Sequence, residues 1–405
     1  MKTDCDLIIV GGGMVGLSLA AALRHRSLKL VLIDERLPLR PLAKDPELRV
    51  SAINQASENL LRRLGIWQAV QAQRLCAYRQ MQVWEQDSFA RIEFNHQDLH
   101  QPHLGHIIEN QVLINALWEE LLAANNVELL APAGISRFEL NSELAEVELA
   151  DGRLLKARLL VGTDGAQSRI RQQAGLPVTF ADYQHKALVA TIETQLPHQH
   201  CARQVFTPQG PLAFLPLYQD NLCSIVWSQQ TQRADELLAM DTGEFEKQLS
   251  ATFDNQLGLC KLTSERIGFP LTMRFARQWL TDRLVLAGDA AHTIHPLAGQ
   301  GANLGLMDVA ALAERLQMLH ERGEDIGLAA NLRPYERWRK SEAVKLIAAM
   351  QLFKGLFDGQ HPLKKLIRGL GVSAMDKLPL AKRQAMKLAA GLDGELHELA
   401  KPLLK

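Results

Sequence analysis

The sequence predicts a composite α/β fold, in which a Rossmann-like domain is interleaved with an antiparallel sheet and followed by a helical region. Three observations support this prediction. Asp6–Val10 and Lys29–Ile33 are apolar runs that flank a glycine turn and an Ala/Leu-rich stretch, which is the order of a βαβ unit. Residues 185–228 contain several runs rich in β-branched and aromatic residues, as antiparallel strands do. After Asn331 the pattern is mostly helical.

The two kinds of element alternate along the chain, so the domains are expected to interleave. We assign residues 1–80, 100–180 and 270–330 to a discontinuous Rossmann-like domain. Residues 81–99 and 181–269 form a β-sheet domain, and residues 331–405 form the C-terminal helical region. A chain of 405 residues is long enough for two or three such units.

Individual elements inside these units can also be placed. Asp151-Gly152 is a strong hairpin turn between two alternating runs. Residues 111–125 and 302–321 have helical periodicity, and residues 283–289 form a further buried strand. The Rossmann-like unit therefore contains at least three strands whose ends can carry functional loops.

Composition narrows the function classes. The 45 basic residues equal the 45 acidic residues, so no overall field favours nucleic acid, and we expect no nucleic-acid partner. Five scattered cysteines without a CxxC motif indicate buried free thiols in a reducing compartment. The uncharged stretch 7–22 is shorter than a membrane span and follows two acidic residues, unlike a signal peptide. We therefore expect a cytoplasmic protein.

The first glycine turn has the pattern of a dinucleotide-binding motif. Gly11, Gly13 and Gly16 follow a strand and open a helix. Gly11 makes the tight turn, Gly13 lets a pyrophosphate approach the backbone, and Gly16 lets helix pack on strand. Asp34 ends the second strand, where its carboxylate can accept a ribose hydroxyl. The motif predicts that this domain binds a dinucleotide.

Two later loops favour FAD over NAD as that dinucleotide. Asp164-Gly165 follows one strand, with Ser168 and Arg171 behind it, and Gly288-Asp289 ends another. A carboxylate at a strand end can bind the sugar-like hydroxyls of a long, extended cofactor such as FAD. A plain NAD(P) dehydrogenase, which is the alternative, needs only the first motif.

The motifs "GGGMVG", "RVSAIN", "DGAQSRIR" and "GDAAHTIHPLAGQGANLG" together resemble single-component FAD aromatic hydroxylases of the para-hydroxybenzoate hydroxylase type. Within that type, the chain is most similar to the hydroxylases of ubiquinone biosynthesis, from about residue 6 to residue 357. The resemblance implies an NAD(P)H-dependent monooxygenase that uses O₂ to hydroxylate a 2-polyprenylphenol beside its hydroxyl group. The alternatives are a sister ubiquinone-pathway hydroxylase that acts at another ring carbon and, from another class, a non-catalytic prenyl-binding protein on the same scaffold. The resemblance also implies that the discontinuous Rossmann-like domain is the FAD-binding domain and that the β-sheet domain is the substrate domain.

The resemblance also implies a set of cofactor-binding residues. Near the nucleotide these are Gly11, Gly13, Val15, Gly16 and Asp34. Around the phosphate and ribityl region they are Arg49, Asn110, Asp164, Gly165, Gly288 and Asp289, although Asn110 departs from the Arg or Gln of many relatives. Along the flavin ring they are Pro296, Gly299, Gly301, Ala302 and Asn303.

The spacing of Asp289, His292 and His295 is also compatible with metal ligands on one helical face. We predict no metal here, because Pro296 and Gly299 interrupt any helix that would align the two histidines. His292 is expected to be structural, with a hydrogen bond inside its own turn. His295 is the one candidate catalytic residue, and a loop histidine with no catalytic role is its alternative.

The sequence does not identify a catalytic base. Several polar and aromatic residues lie on the β runs expected to cover the flavin, but most such aromatics are simply core: Tyr183, His185, Arg203, Gln204 and Trp227.

Charge is unevenly distributed in the C-terminal region. Residues 331–390 hold thirteen basic and four acidic residues, and Lys354, Lys364, Lys365 and Arg368 lie among Leu, Phe and Ile. This mixture is typical of a helix that contacts an anionic bilayer. The alternatives are an acidic partner, such as another ubiquinone-biosynthesis protein, and a solvated face of a packed helix. Because a polyprenyl substrate resides in membranes, peripheral membrane contact is the favoured interpretation.

Overall fold

The computed structural model describes residues 3–86, 91–294, 300–357, 379–394 and 396–402. The strands within these residues are, in chain order, β1 (Cys5–Val10), β2 (Leu30–Ile33), β3 (Val50–Asn54), β4 (Leu75–Tyr78), β5 (Gln80–Glu85), β6 (Arg91–Asn95), β7 (Gly105–Glu109), β8 (Val127–Leu130), β9 (Ile135–Leu140), β10 (Ala145–Leu149), β11 (Leu154–Gly162), β12 (Val178–Thr194), β13 (Cys201–Thr207), β14 (Gly210–Pro216), β15 (Leu222–Gln230), β16 (Cys260–Leu262), β17 (Ile267–Ala276), β18 (Leu280–Thr281), β19 (Leu284–Leu286) and β20 (His292–Thr293).

The α-helices within the same residues are α1 (Met14–Leu23), α2 (Gln55–Arg63), α3 (Trp67–Gln71), α4 (Asn110–Leu122), α5 (Arg169–Gln173), α6 (Thr231–Ala239), α7 (Thr242–Thr252), α8 (Gln300–Glu321), α9 (Ala329–Phe357) and α10 (Pro379–Ala389).

The first sheet is mostly parallel and has the strand order β18-β19-β11-β1-β2-β8, with β10 and β9 added beside β11. β1 is central, and its Leu7, Ile8 and Ile9 are completely buried. Strands covered on both faces need such continuous apolar runs, and each fully buried side chain of this size stabilises the fold by about 1.5–3 kcal/mol. α1 packs against α8 and α4 beside this sheet, so it too is buried nearly all round.

The second sheet is largely antiparallel and has the order β20-β17-β12-β15-β14-β13-β5-β6, with β16 beside β12. One of its faces packs on α6 and α7, where Trp227 and Phe214 join Phe245 in one apolar cluster. We call this the back face. The opposite face, which we call the front face, packs on the small third sheet β3-β7-β4 through a cluster that contains Leu222 and Ile107.

These observations confirm the predicted fold class. The helices predicted at 111–125 and 302–321 span Asn110–Leu122 and Gln300–Glu321, and the hairpin at Asp151-Gly152 joins β10 to β11. The exact domain boundaries stay a prediction. All five cysteines are free and buried, as expected. Among the described residues, no helix combines the length and apolarity that crossing a bilayer requires.

Candidate cofactor and active site

The predicted motifs meet at one edge of the parallel sheet. Val10 of β1 pairs with Ile33 of β2 and with Gly162 of β11, and Gly162 pairs in turn with Leu286 of β19. The loops that follow these strands therefore leave the sheet side by side. Carboxyl ends of neighbouring parallel strands are where open α/β sheets bind their ligands.

The glycine turn after β1 is shaped by steric necessity. Gly11 has a φ of +114°, and a Cβ atom there would lie 2.5 Å from the carbonyl oxygen of Thr163. A Cβ on Gly16 would lie 1.9 Å from the carbonyl oxygen of Gly11, so helix and turn can approach only without a side chain. Gly13 differs, because a Cβ there would meet nothing within 4 Å. The space beside Gly13 is thus open for a phosphate at the N-terminus of α1.

Asp34 follows β2 and lies against this turn. Its Oδ2 accepts a hydrogen bond of 2.6 Å from the backbone N–H of Gly12, and its Oδ1 accepts one of 2.8 Å from that of Arg36. The carboxylate is half-buried and fixed by two backbone donors. Each oxygen keeps a second acceptor site, which a ribose hydroxyl can use.

Asp164 follows β11 and holds one hydrogen bond. Its Oδ2 accepts the backbone N–H of Ile170 at 3.1 Å, whereas its buried Oδ1 has no hydrogen-bond partner among the described residues. Arg171 stands behind this loop and donates to the carbonyl oxygens of Ala290 and Ala166. The motif predicted as "DGAQSRIR" thus ties the Asp164 loop to the Gly288-Asp289 loop and leaves one carboxylate oxygen unpaired.

Asp289 lies in the loop that follows β19. Its side chain is exposed, yet desolvation by the surrounding protein raises the pKa of its carboxyl group, against the opposing effects of His292 and Arg49. Gly288 has a φ of +62°, and a Cβ there would lie 2.9 Å from the Val15 side chain. Val15 therefore fills the space between the two loops.

The start of α8 completes this wall. Gly301 has open space around it, whereas the side chain of Asn303 is buried and hydrogen-bonded. The Asn303 side chain donates to the carbonyl oxygen of Ala52 and accepts from the backbone N–H of Asn54. Its amide therefore ties α8 to β3, and Gly301 and Ala302 remain partly exposed beside it. His295, Pro296 and Gly299 lie outside the described residues.

Arg49 and Asn110 flank strands of the small third sheet, Arg49 just before β3 and Asn110 just after β7. The exposed Arg49 guanidinium stands over the Phe269 ring of β17, 5.1 Å from its centre. Asn110 accepts a hydrogen bond from the Ser51 hydroxyl at 2.7 Å, and its backbone N–H donates to the carbonyl oxygen of Arg49. Asn110 thus positions the strand that carries Arg49.

The partner of His292 differs from the prediction. His292 is buried, and its Nε2 lies 2.5 Å from Oδ2 of Asp308 in α8, not within its own turn. Asp308 also binds Arg339 of α9. A structural role for His292 fits this ion-pair network, but the sequence did not indicate it. The one available signal was a lone acidic residue in the apolar part of α8.

The sequence also gave no indication of a cluster of Glu58 with two histidines. The ligand atoms of Glu58, His103 and His106 lie within 4.8 Å of one another, close enough to share a cation. Glu58 already uses both oxygens, one for Arg62 and one for Nε2 of His103 at 2.6 Å. Burial alone would raise the pKa of the Glu58 carboxyl, but the two histidines lower it well below its ordinary range. Glu58 is thus paired with Arg62 and His103, whereas Nδ1 of the buried His106 lies 3.2 Å from the same carboxylate and makes no hydrogen bond with the described residues.

Strand register shows on which face of the second sheet each residue lies, whereas the sequence could only place these residues on β runs. In antiparallel pairs, directly opposite residues share a face. Trp227 opposes Leu188, and Arg203 opposes Phe214, so both lie on the back face with α6 and α7. His185 shares the front face with Phe269, and so does Gln204, which opposes Ala213. Trp227 and Arg203 therefore point away from the cofactor edge.

These features fit a long dinucleotide better than a short one. The open space beside Gly13, the Asp34 carboxylate, the unpaired Asp164 oxygen and the exposed Asp289 carboxylate all follow neighbouring strands at one edge of the sheet. A mononucleotide would leave the last two without a partner. The arrangement is that of an FAD-binding site opposite the front face of a second sheet.

Comparison with known proteins agrees with this geometry. Residues 4–348 match the family described as "FAD binding domain". The 3-demethoxyubiquinol 3-hydroxylase of Escherichia coli is 38% identical over 390 residues, which cover 96% of this chain and 98% of that protein. The mitochondrial ubiquinone biosynthesis monooxygenase COQ6 of Xenopus tropicalis is 34% identical, covering 95% of this chain and 93% of its own length.

Solved structures show the same fold at lower identity. The p-nitrophenol 4-monooxygenase PnpA of Pseudomonas putida superposes with a TM-score of 0.79 at 19% identity, covering 97% of this chain and 99% of that one. PqsL of Pseudomonas aeruginosa gives 0.78 at 22% identity, with 91% and 99% covered.

The fold, the site and the relatives together define an FAD-dependent monooxygenase. More particularly, the chain belongs to the family of ubiquinone-biosynthesis hydroxylases.

Proposed function

We propose that this protein hydroxylates 2-polyprenylphenol to 2-polyprenyl-6-hydroxyphenol, with NAD(P)H as the reductant and O₂ as the oxygen source. The observation that carries the proposal is the sheet edge where the loops after β1, β2, β11 and β19 lie side by side, with Arg49 placed over Phe269 on the front face of the second sheet. The names of the relatives, which are hydroxylases of ubiquinone precursors, indicate the substrate class.

Particular residues would hold FAD along this edge. The turn residues Gly11, Gly13 and Gly16, with Val15 behind them, would receive the pyrophosphate, and Asp34 the adenosine ribose. Arg49, Asp164, Gly165, Gly288 and Asp289 would bind the middle of the cofactor, and Asn110 would support them through Arg49. Pro296, Gly299, Gly301, Ala302 and Asn303 would lie along the ring system.

When bound, the flavin would accept a hydride from NAD(P)H and activate O₂. The protein would orient the phenol and exclude water. Backbone N–H groups at the start of α8 favour negative charge nearby. His185 and Gln204 supply hydrogen-bonding groups on the front face, and His295 stays a candidate that lies outside the described residues.

The decisive test is product analysis. The FAD-loaded protein is mixed with a short-chain 2-prenylphenol and either NADPH or NADH, and products are separated by chromatography. We expect a catechol hydroxylated beside the original hydroxyl group. Oxidation of NAD(P)H without a hydroxylated product would contradict the proposal. If the phenol does not stimulate NAD(P)H oxidation at all, the non-catalytic prenyl-binding alternative is favoured instead.

A second candidate is hydroxylation of a later ubiquinone precursor at another ring carbon. The relative from Escherichia coli favours it, because that enzyme is named a 3-demethoxyubiquinol 3-hydroxylase and covers almost the whole chain. Offering both substrates in one competition assay distinguishes the two candidates by the mass and retention time of the product.

We also propose that the protein collects this substrate at an anionic membrane surface. A polyprenyl tail favours lipid by about 0.8 kcal/mol for each methylene group. α10 exposes Leu380 and Leu388, with exposures of 86% and 59%, and its sequence is basic without an acidic residue. Lys354 lies in α9, and Lys364, Lys365 and Arg368 fall outside the described residues.

Reversal of these four charges tests the proposal. Binding to vesicles that contain anionic lipid should weaken, and turnover of a long-tailed phenol should slow, while a short soluble analogue is turned over normally. Equal loss on both substrates would indicate a role in folding. Unchanged vesicle binding would show that the charges are only solvated surface.

A further inference from the structure

Asp308 is a completely buried carboxylate in the middle of α8, directly behind the loop that carries Asp289. Its Oδ2 accepts a hydrogen bond of 3.0 Å from the backbone N–H of Gly288 and lies 2.5 Å from Nε2 of His292. Its Oδ1 accepts a hydrogen bond of 2.8 Å from Nε of Arg339. One carboxylate therefore joins α8, α9 and the loop after β19.

The two loop contacts flank Asp289. Gly288 precedes it, and His292 follows three positions later, so Asp308 holds both ends of the segment. The Asp289 side chain itself makes no hydrogen bond with the described part of the chain, although its backbone carbonyl accepts from Thr293. The direction of the Asp289 carboxylate consequently depends on the backbone that Asp308 fixes.

Charged neighbours keep the Asp308 carboxylate ionised, which is the form that accepts hydrogen bonds. Burial alone would raise the pKa of the Asp308 carboxyl, but His292 and Arg339 outweigh burial and lower it. Arg339 is itself buried and also donates to the carbonyl oxygen of Leu304. Breaking a buried pair on one side leaves an uncompensated charge, so neither partner can be removed without rearrangement.

We infer that Asp308 is a positioning residue for FAD binding, which acts by holding the Gly288–His292 segment so that Asp289 faces the cofactor. This inference rests on the proposed contact between Asp289 and FAD. Asp308 does not touch the cofactor, and its effect passes through the loop backbone.

The chain offers a matched control at the other end of β19. Asp325 accepts two hydrogen bonds from Arg283, at 2.8 and 2.7 Å, and one from the backbone N–H of Gly327 at 3.0 Å. Arg283 immediately precedes β19, whereas the Asp308 network follows it. The same Asp→Asn change thus removes an Arg-paired, backbone-bonded carboxylate at either end.

The experiment compares Asp308→Asn with Asp325→Asn. FAD is removed, the unfolding temperature of each apoprotein is recorded, and the apoprotein is titrated with FAD while flavin fluorescence is followed. We expect both variants to unfold at lower temperature than the wild type. Only Asp308→Asn should raise the dissociation constant of FAD, by about 10- to 100-fold, the size expected for lost hydrogen bonds to a charged group.

A dissociation constant within twofold of the wild-type value for folded Asp308→Asn would overturn the inference. If that apoprotein does not fold, His292→Phe replaces it, because this change keeps an aromatic ring beside Trp279 and removes one donor to Asp308. An unchanged FAD affinity would then overturn the inference in the same way.

The titration contains no phenol and no NAD(P)H, so its outcome is independent of whether the proposed hydroxylation occurs. Asp289→Ala in the same titration reports on the proposed contact itself. Loss of FAD affinity in Asp289→Ala but not in Asp308→Asn would reject only the positioning role.

Discussion

The turn after β1 and the front face of the second sheet carry their chemistry in different ways. In the turn, Gly11, Gly13 and Gly16 lie within six residues, and two of them are required by contacts with neighbouring backbone. On the sheet, His185 and Gln204 share a face only because of the pairing of strands far apart in sequence. The glycine turn is therefore encoded locally, whereas the surface that we propose for the substrate is set by strand register.

The largest effect that can break this comparison comes from the turn. Gly16→Ala places a Cβ 1.9 Å from a backbone oxygen, so the free energy of unfolding of the apoprotein should fall by about 1–3 kcal/mol. Gly13→Ala is the matched control, because a Cβ there meets no protein atom within 4 Å.

For Gly13→Ala we expect apoprotein stability within about 0.5 kcal/mol of wild type, with at least about tenfold weaker FAD binding because the methyl group enters the phosphate space. Denaturant unfolding and FAD titration measure the two quantities. Equal FAD affinity in wild type and Gly13→Ala would show that the phosphate does not lie beside Gly13.

The next largest effect concerns the carboxylate of Asp289. Asp289→Ala should leave a folded protein that has largely lost FAD, because each hydrogen bond from a hydroxyl to a charged acceptor contributes about 1.5–3 kcal/mol. Retention of stoichiometric FAD with unchanged affinity would contradict the assignment of Asp289.

The pH dependence of FAD affinity gives the same residue a second test. Desolvation raises the pKa of the Asp289 carboxyl group, so it takes up a proton at a higher pH than an ordinary Asp, whose pKa is about 3.9. The ionised form is the better acceptor. Affinity should thus weaken as the pH falls toward the raised pKa, and Asp289→Asn should lack this dependence in titrations at a series of pH values.

A smaller effect separates the two faces of the second sheet. Gln204→Leu on the front face should change kcat/KM for the phenol by about 2- to 10-fold, the value of one hydrogen bond, with little change in stability. Trp227→Leu on the back face should lower stability, by about 1–3 kcal/mol for the cavity it leaves, with kcat/KM retained. The reverse pattern would mean that the strand register assigns the faces wrongly.

The smallest effect lies outside both regions, at Glu58. Burial alone would raise the pKa of the Glu58 carboxyl group in the folded protein, but the nearby histidines outweigh burial and lower it. Such a group stabilises the fold above its unfolded pKa of about 4.3, and this contribution is lost as the pH falls below that value. Glu58→Gln should therefore be less stable than wild type near pH 7, and the difference should shrink in acid, as urea unfolding at several pH values would show.

The sequence predicted the parts of the site that depend on neighbours in the chain. Gly11, Asp34, Asp164 and Asp289 follow apolar runs directly, so their place at the ends of parallel strands could be inferred, and the strand pairing confirms that placement. The fold class followed from the same alternation of runs.

Long-range contacts set the remainder. His292 is bonded to Asp308, sixteen residues later in another element, and no local pattern indicates that pair. The Asn303 side chain is hydrogen-bonded to Asn54 of β3, which lies 249 residues away in sequence. The face of Trp227 depends on its pairing with Leu188. Each of these required the tertiary structure.

We propose above all that this protein, with FAD held at this edge, hydroxylates a polyprenylphenol bound against the front face. The most direct measurement supplies the FAD-loaded protein with NADPH, a short-chain 2-prenylphenol and oxygen-18-labelled O₂, and records the mass of the product. We expect one labelled oxygen atom in a catechol, formed in step with NADPH consumption. Consumption of NADPH with no labelled product, at the same rate with and without the phenol, would contradict the account.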